Sequence, residues 1–292
     1  MNTTETNSDE ISVKEVFRIL WNDRFLIVGI TFVVVLATVV TALLSTKKYD
    51  AIMMISPVAD DSGGSRLSSL VSQVGGLGAL SSIAGLPNPS NTQKAETIAV
   101  LQSEKLTETF IRNNDLLPIL YSEDWDALRQ TWKISDPKKI PTVWKANGYF
   151  RNNVRSVTTD TKTGLVTLTI RWRDPKLAAQ WANDLVKMVN DYLRRKTIDE
   201  AERNISYLND QAAKTEAVAV REGIYSILQS EIKKMMLARG SEEYALKVID
   251  PAVPPEKPAT PRPIMWTAMA FFGGLFLSIF IVIARHWWRT AP

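Results

Sequence analysis

Apolar positions are gathered most densely into two runs, Phe25 to Leu44 and Ile264 to Ala284, and neither contains a charged side chain. Each matches the ~20 residues that a helix needs to cross a hydrocarbon core of roughly 30 Å. Unpaired backbone amides are costly in lipid, so both runs are predicted to be helices. A cleaved signal peptide is the rival reading of the first run. Signal cores span about 7–15 apolar residues and close on a small-residue site, whereas Ser45, Thr46, Lys47 and Lys48 follow here. The pattern predicts a hairpin plan, with two transmembrane helices bracketing one water-soluble region.

Within that region the periodicity alternates between strand and helix. Tyr49 to Ile55 reads as a strand leaving the membrane. Asp60 to Ser90 is rich in Gly and Ser, either a helix broken by Gly75, Gly76 and Gly78 or a flexible segment. Ala95 to Asn114 keeps helical spacing through Ile98, Leu101, Leu106 and Phe110, with Asn91 or Thr92 as cap. Asp124 to Trp144 is left without an assignment. Val154 to Thr158 and Leu165 to Trp172 read as two strands, joined by a turn over Asp160 to Gly164 in which Gly164 takes a positive φ.

A long helix is predicted to begin at Asp174-Pro175, with Asp as N-cap and Pro at the first helical position. Trp181, Leu185, Met188 and Tyr192 form one apolar seam, and Ile198, Ala201, Ile205, Leu208 and Ala212 form another. The register slips near Arg194-Arg195-Lys196. A further run through Val220, Ile224, Ile227 and Leu228 ends near Gly240, read as the C-cap. About 40 helical residues reach about 60 Å, more than a compact domain needs. Leu246 to Ile249 supplies a last strand. The order strand, helix, strand, strand, helix, strand predicts an α/β domain of split βαβ, ferredoxin-like type with a long protruding helical arm.

Six of the chain's 14 prolines, Pro251, Pro254, Pro255, Pro258, Pro261 and Pro263, lie between the last strand and the second span. They predict an extended, rigid linker. Ala270, Gly274 and Ser278 then recur every fourth residue, and the first span offers Gly29. Small residues at this spacing allow close helix packing. The partner, in the same chain or another, is left open.

Charge and chemistry narrow the picture. The net charge is only +4, which disfavours nucleic acid as a partner. There is no cysteine, and the one histidine is His286, so thiolate catalysis, a Ser-His-Asp triad between the spans and a His- or Cys-based metal site are excluded. No phosphate-cradling loop of the G-x-x-x-x-G-K-[ST] type is present. No catalytic residue, cofactor or metal ligand is assigned, and the chain is read as a non-enzyme. Lys138, Lys139, Lys145, Arg151 and Arg155 lie in a stretch without acids between Asp136 and Asp160. They are candidates for contact with anionic glycan or lipid headgroups, against the reading of an ordinary solvated face. Trp125, Trp132 and Trp144 are candidates for sugar stacking or for core burial.

The proline run entering a small-residue second span resembles the Wzz-type polysaccharide co-polymerases, the chain length determinant family. The segments A-E-T-I-A-V-L-Q-S-E-K-L (95–106), N-D-L-L-P-I-L-Y (114–121), R-D-P-K-L-A-A-Q-W-A-N (173–183) and E-Y-A-L-K-V-I-D-P-A (243–252) are similar to it as well, in the same order. One departure is that Gly273-Gly274 followed by Ser278 replaces a full G-x-x-x-G. The resemblance implies a bacterial inner-membrane protein that forms a ring-like homo-oligomer. It further implies a non-catalytic regulator of the chain length of lipopolysaccharide O-antigen or a related polysaccharide, acting with a Wzy-type polymerase on lipid-linked polysaccharide. The alternatives are a two-span periplasmic sensor or adaptor, or a scaffold of a polysaccharide export complex.

The expected layout is a cytoplasmic tail (1–24), a first transmembrane helix (25–44) and a membrane-proximal periplasmic domain (45–173). The arm (174–240), the last strand with its linker (241–263), the second transmembrane helix (264–284) and a cytoplasmic tail (285–292) follow. Near-membrane basic residues number five against four across the two sides, which leaves the positive-inside rule nearly silent. Both termini are placed in the cytoplasm because the long loop, not the short tails, can hold a folded domain.

Overall fold

The computed structural model describes residues 21, 23–58, 89–261 and 263–290. The expected N-terminal tail up to Leu20 and most of the Gly- and Ser-rich stretch lie outside the described residues. The chain divides into two compact units, Met1–Lys48 with Lys257–Pro292, and Tyr49–Glu256.

Helix α1 (Arg24–Leu44) takes up the first apolar run. The second unit opens with β1 (Tyr49–Pro57). Helices α2 (Pro89–Gln102), α3 (Glu104–Asn113) and α4 (Leu116–Leu120) follow. The single helix expected over Ala95 to Asn114 is therefore two. The break falls at Ser103, whose hydroxyl accepts from the Leu106 amide at 3.2 Å and caps α3. Asn91 and Thr92 sit inside α2 rather than capping it. The unassigned stretch holds a small hairpin, β2 (Trp125–Asp126) and β3 (Thr131–Trp132), in which the two Trp rings meet edge to face at 4.9 Å. A 3-10 turn (Pro137–Lys139) and α5 (Val143–Tyr149) lead into β4 (Arg155–Thr159) and β5 (Val166–Trp172). The β4–β5 turn is closed by Asp160, whose carboxylate accepts from the Lys162 amide and the Thr163 hydroxyl, both at 2.8 Å. Gly164 has φ +70° there, as the turn requires.

Helix α6 (Pro175–Lys214) is capped by the Asp174 carboxylate, which accepts from the amides of Lys176 (2.8 Å) and Leu177 (3.3 Å). It runs 40 residues without a break through the expected slip, about 60 Å at 1.5 Å per residue. Helix α7 (Val218–Gly240) returns antiparallel to it. The Arg239 guanidinium meets Glu202 at 2.6 Å, and Asn204 donates to Glu231 at 3.3 Å. Gly240 is the last helical residue and has no positive φ, so the cap expected there is not formed. Strand β6 (Leu246–Asp250) closes the sheet, and α8 (Pro263–Thr290) completes the first unit. Pro263 opens that helix instead of belonging to the linker, a position that costs no hydrogen bond.

The sheet order is β4-β5-β1-β6, and every pairing is antiparallel. Strands β1 and β4 both run against β5, so they share a direction with β5 inserted between them. Ala51, Met53 and Ile55 face Ile170, Leu168 and Val166 in register, and all six are buried. The alternate positions Ile52 and Met54 sit opposite Thr169 and Thr167 on the open face, where Asp50 and Arg171 pair through two bonds of 2.6 and 2.7 Å. This is the period-2 division of a half-buried sheet.

The first half of α6 covers the buried face with Ala178, Trp181, Ala182, Leu185, Val186 and Val189. A row of rings runs through this core: Phe110 to Phe150 (5.8 Å), Phe150 to Trp181 (6.1 Å) and Trp181 to Trp172 (5.2 Å). The predicted seam is turned slightly, so that Leu193 is buried while Tyr192 is 40% exposed. Beyond Leu193 the helix leaves the sheet core, and Ala201 and Ala212 of the second predicted seam are its buried apolar positions.

Candidate functional surfaces

The five basic residues read as one charged stretch separate into three kinds. Arg155 opens β4 and is 6% exposed. Its guanidinium donates to the carbonyls of Leu101 (2.8 Å) and Gln102 (3.0 Å) and to the Thr107 hydroxyl (2.8 Å). It therefore supplies donors to the last carbonyls of α2, which lack partners within their own helix, and it places a cation where the helix dipole favours one. Burial first, and then repulsion from Arg151, lower its pKa to about 10, so it remains charged at neutral pH. Arg155 is thus a structural clasp and not a surface contact. Arg151 is exposed and ion-paired to Glu104 at 2.6 Å. Lys138 and Lys139 on the 3-10 turn and Lys145 on α5 are exposed, and no ion pair is formed by any of them among the described residues.

Trp144 stands beside Lys145 on the first turn of α5 and is 75% exposed. The Thr142 hydroxyl caps that turn by accepting from the Lys145 amide at 3.3 Å. Trp125 and Trp132 are half-buried against each other. On the inner side of α5, Asn147 is buried and its Oδ1 has no hydrogen-bond partner among the described residues.

The linker prolines divide between the units. Pro251, Pro254 and Pro255 fall in the second unit, and Pro258 and Pro261 in the first. Residues 251–255 have no regular structure. They are held from α6, because Asn183 Nδ2 donates to the Ala252 carbonyl at 3.0 Å and its Oδ1 accepts from the Ala252 amide at 3.3 Å. Seven residues on, Asn190 donates to the Leu246 carbonyl at 2.9 Å and accepts from the amides of Ala245 (2.9 Å) and Leu246 (2.7 Å). Sequence reading missed both asparagines. The available signal was a polar residue twice interrupting an otherwise apolar helix face at two-turn spacing. In the first unit, the Lys48 amide donates to Thr260 and its carbonyl accepts from Ala259, at 3.0 and 2.8 Å.

The small residues of the second span pack on the first span of the same chain. A Cβ added at Gly274 would lie 3.3 Å from Val34 Cβ and 3.4 Å from Thr31 Cα. Ser278 is fully buried, with its hydroxyl 3.5 Å from that of Thr31. Each hydroxyl already donates within its own helix, Thr31 to the Ile27 carbonyl and Ser278 to the Leu275 carbonyl, both at 2.8 Å. Neither has a proton left for the other, so the contact is close packing. Ala270 is half-buried one turn earlier. Gly29 is the exception to the expected set, since a Cβ there would meet nothing within 4 Å. It lies on a different face of α1 from Thr31 and Val34. Both helices are long and apolar enough to cross a membrane. Among the described residues no group of three or more His, Asp or Glu side chains could hold a metal ion.

Comparison with known proteins gives two family matches. Residues 9–114 match the family described as Wzz, chain length determinant protein. Residues 214–287 match the family described as GNVR, the G-rich domain on putative tyrosine kinase. No curated protein gives a significant match. Among solved structures, the chain is similar to a full-length bacterial polysaccharide co-polymerase at 12% identity, covering 96% of this chain and 99% of that one, with a TM-score of 0.41. It is also similar to a fragment of WzzB, the polysaccharide co-polymerase from Salmonella Typhimurium, at 11% identity, covering 74% and 100% respectively, with a TM-score of 0.33.

Proposed function

We propose, from the premise that this chain belongs to the Wzz-type chain length determinant family, that it regulates the chain length of a bacterial surface polysaccharide without catalysing a reaction. The observation that carries this reading is the chain-length-determinant match across the first span, β1 and α2. The chain sits in the inner membrane with both termini in the cytoplasm and the second unit in the periplasm. It acts beside a Wzy-type polymerase on lipid-linked polysaccharide such as O-antigen, and it does so as a homo-oligomer. Self-assembly is supported by α7, where Val220 and Ile227, two helical turns apart on one face, stay exposed. The sheet order is read as the split βαβ, ferredoxin-like arrangement.

The test is deletion of the gene followed by gel display of surface glycans. A lost or shifted modal length supports the reading. An unchanged distribution for every surface polymer overturns it.

A further inference from the structure

Trp144 is the most exposed of the described Trp side chains in the second unit. Large rings dominate burial energetics, so one left out in water on an ordered helical turn invites a partner. Its surroundings define the chemistry of that partner. The other large side chains of this segment, Tyr149 and Phe150, turn inward to the core and its margin. What remains outside is Trp144 with Lys145 beside it and Lys138 and Lys139 on the preceding turn, all exposed. Residues 139 and 144 are five positions apart, so their Cα atoms lie within about 17 Å even at full extension. A membrane-inserting face presents several large apolar residues together. Here a single exposed ring lies within seven residues of three exposed lysines, and the one acid of the stretch, Asp136, is engaged in accepting from the Lys138 amide.

We propose that Trp144, Lys138, Lys139 and Lys145 form a binding site for an acidic polysaccharide. The apolar face of one sugar ring stacks on the indole, and the carboxylate or phosphate groups of neighbouring sugars meet the lysines. This site rests on the proposed function and deepens it by naming where the growing polymer touches the regulator. It also corrects the set read from sequence, because Arg155 is buried and Arg151 is already paired with Glu104.

The test uses the full chain in its own host membrane. Trp144 is replaced by a photo-reactive benzoylphenylalanine, and Tyr207, exposed on α6, is replaced likewise as a control position. After irradiation the purified chain is stained for protein and for carbohydrate. A ladder of glycan-bearing adducts from position 144 and none from position 207 is the expected result. Lys138→Gln, Lys139→Gln and Lys145→Gln should each lower the yield by about fivefold at low salt, the effect of one charge contact at close range. Adducts to lipid, adducts to a second copy of the chain, or no adduct at all would overturn the site. Gene deletion separates the two claims. A changed glycan length distribution with no glycan adduct leaves the function standing and removes only the site.

Discussion

Asn183 and Asn190 lie two helical turns apart on α6, and each grips the backbone of residues 245–252 with both its amide nitrogen and its oxygen. Strand β6 has β1 on one side only. The asparagines supply part of the pairing that a neighbouring strand would have given. They tie the start of the proline run to the long helix at one end and the entry to β6 at the other.

Removing the inner grip should therefore be costly. Asn190→Ala leaves two amides and a carbonyl buried without partners, at about 1–3 kcal/mol for each unsatisfied group. We expect Asn190→Ala to destabilise the chain by about 3 kcal/mol and Asn183→Ala, which is less buried, by about 1 kcal/mol. Denaturant titration of the detergent-solubilised chain measures both. Equal costs for the two variants would contradict the account.

Arg155→Met removes the donors from Leu101 and Gln102 and should cost about 3 kcal/mol. Arg155→Lys keeps the charge but loses the fork that reaches two carbonyls and a hydroxyl, and should recover less than half of that. The folded pKa of about 10 lies below the ordinary guanidinium value of the unfolded chain. The unfolded chain therefore binds more protons only above about pH 10, where rising pH favours folding. Below that the group is charged in both states. The cost of Arg155→Met should thus be flat from about pH 5 to 9, and a steep slope in that window would contradict the assignment.

Gly274→Leu forces a side chain into the space held by Val34 and Thr31, and overpacking of this kind costs about 1–3 kcal/mol. Gly29→Leu meets open space and should cost little. Because the chain has no cysteine, the variant Thr31→Cys with Ser278→Cys reports the contact directly. An intramolecular disulfide should form on mild oxidation, and it should fail to form when Gly274→Leu is added.

Ser103→Ala should cost about 1 kcal/mol through loss of the α3 cap. Trp181→Ala, at the centre of the ring row, should cost about 3–5 kcal/mol. The ratio of these two costs, read from the same unfolding curves, distinguishes a boundary signal from a core residue.

What the chain settles by itself is what depends on local composition and period. The two apolar runs are helices because an uncharged stretch of lipid-spanning length must pair its backbone amides within itself. β5 follows from alternation, β1 from its short apolar run, the turn at Gly164 from its freedom at positive φ, and the start of α6 from Asp174-Pro175. Only the tertiary structure decides which of several equivalent polar residues face inward. Arg155 reads as one of five surface cations, yet the loose carbonyls at the end of α2 and the Thr107 hydroxyl of α3, brought to β4 from about 50 residues away, draw it into the interior. Asn183 and Asn190 acquire their role only when the backbone of residues 245–252 arrives with unpaired groups. Gly29 and Gly274 are alike in sequence, and the rotation of one helix against the other makes Gly274 a contact and leaves Gly29 open. Hydrogen-bond demand and helix rotation are properties of the assembled chain, and no window of sequence contains them.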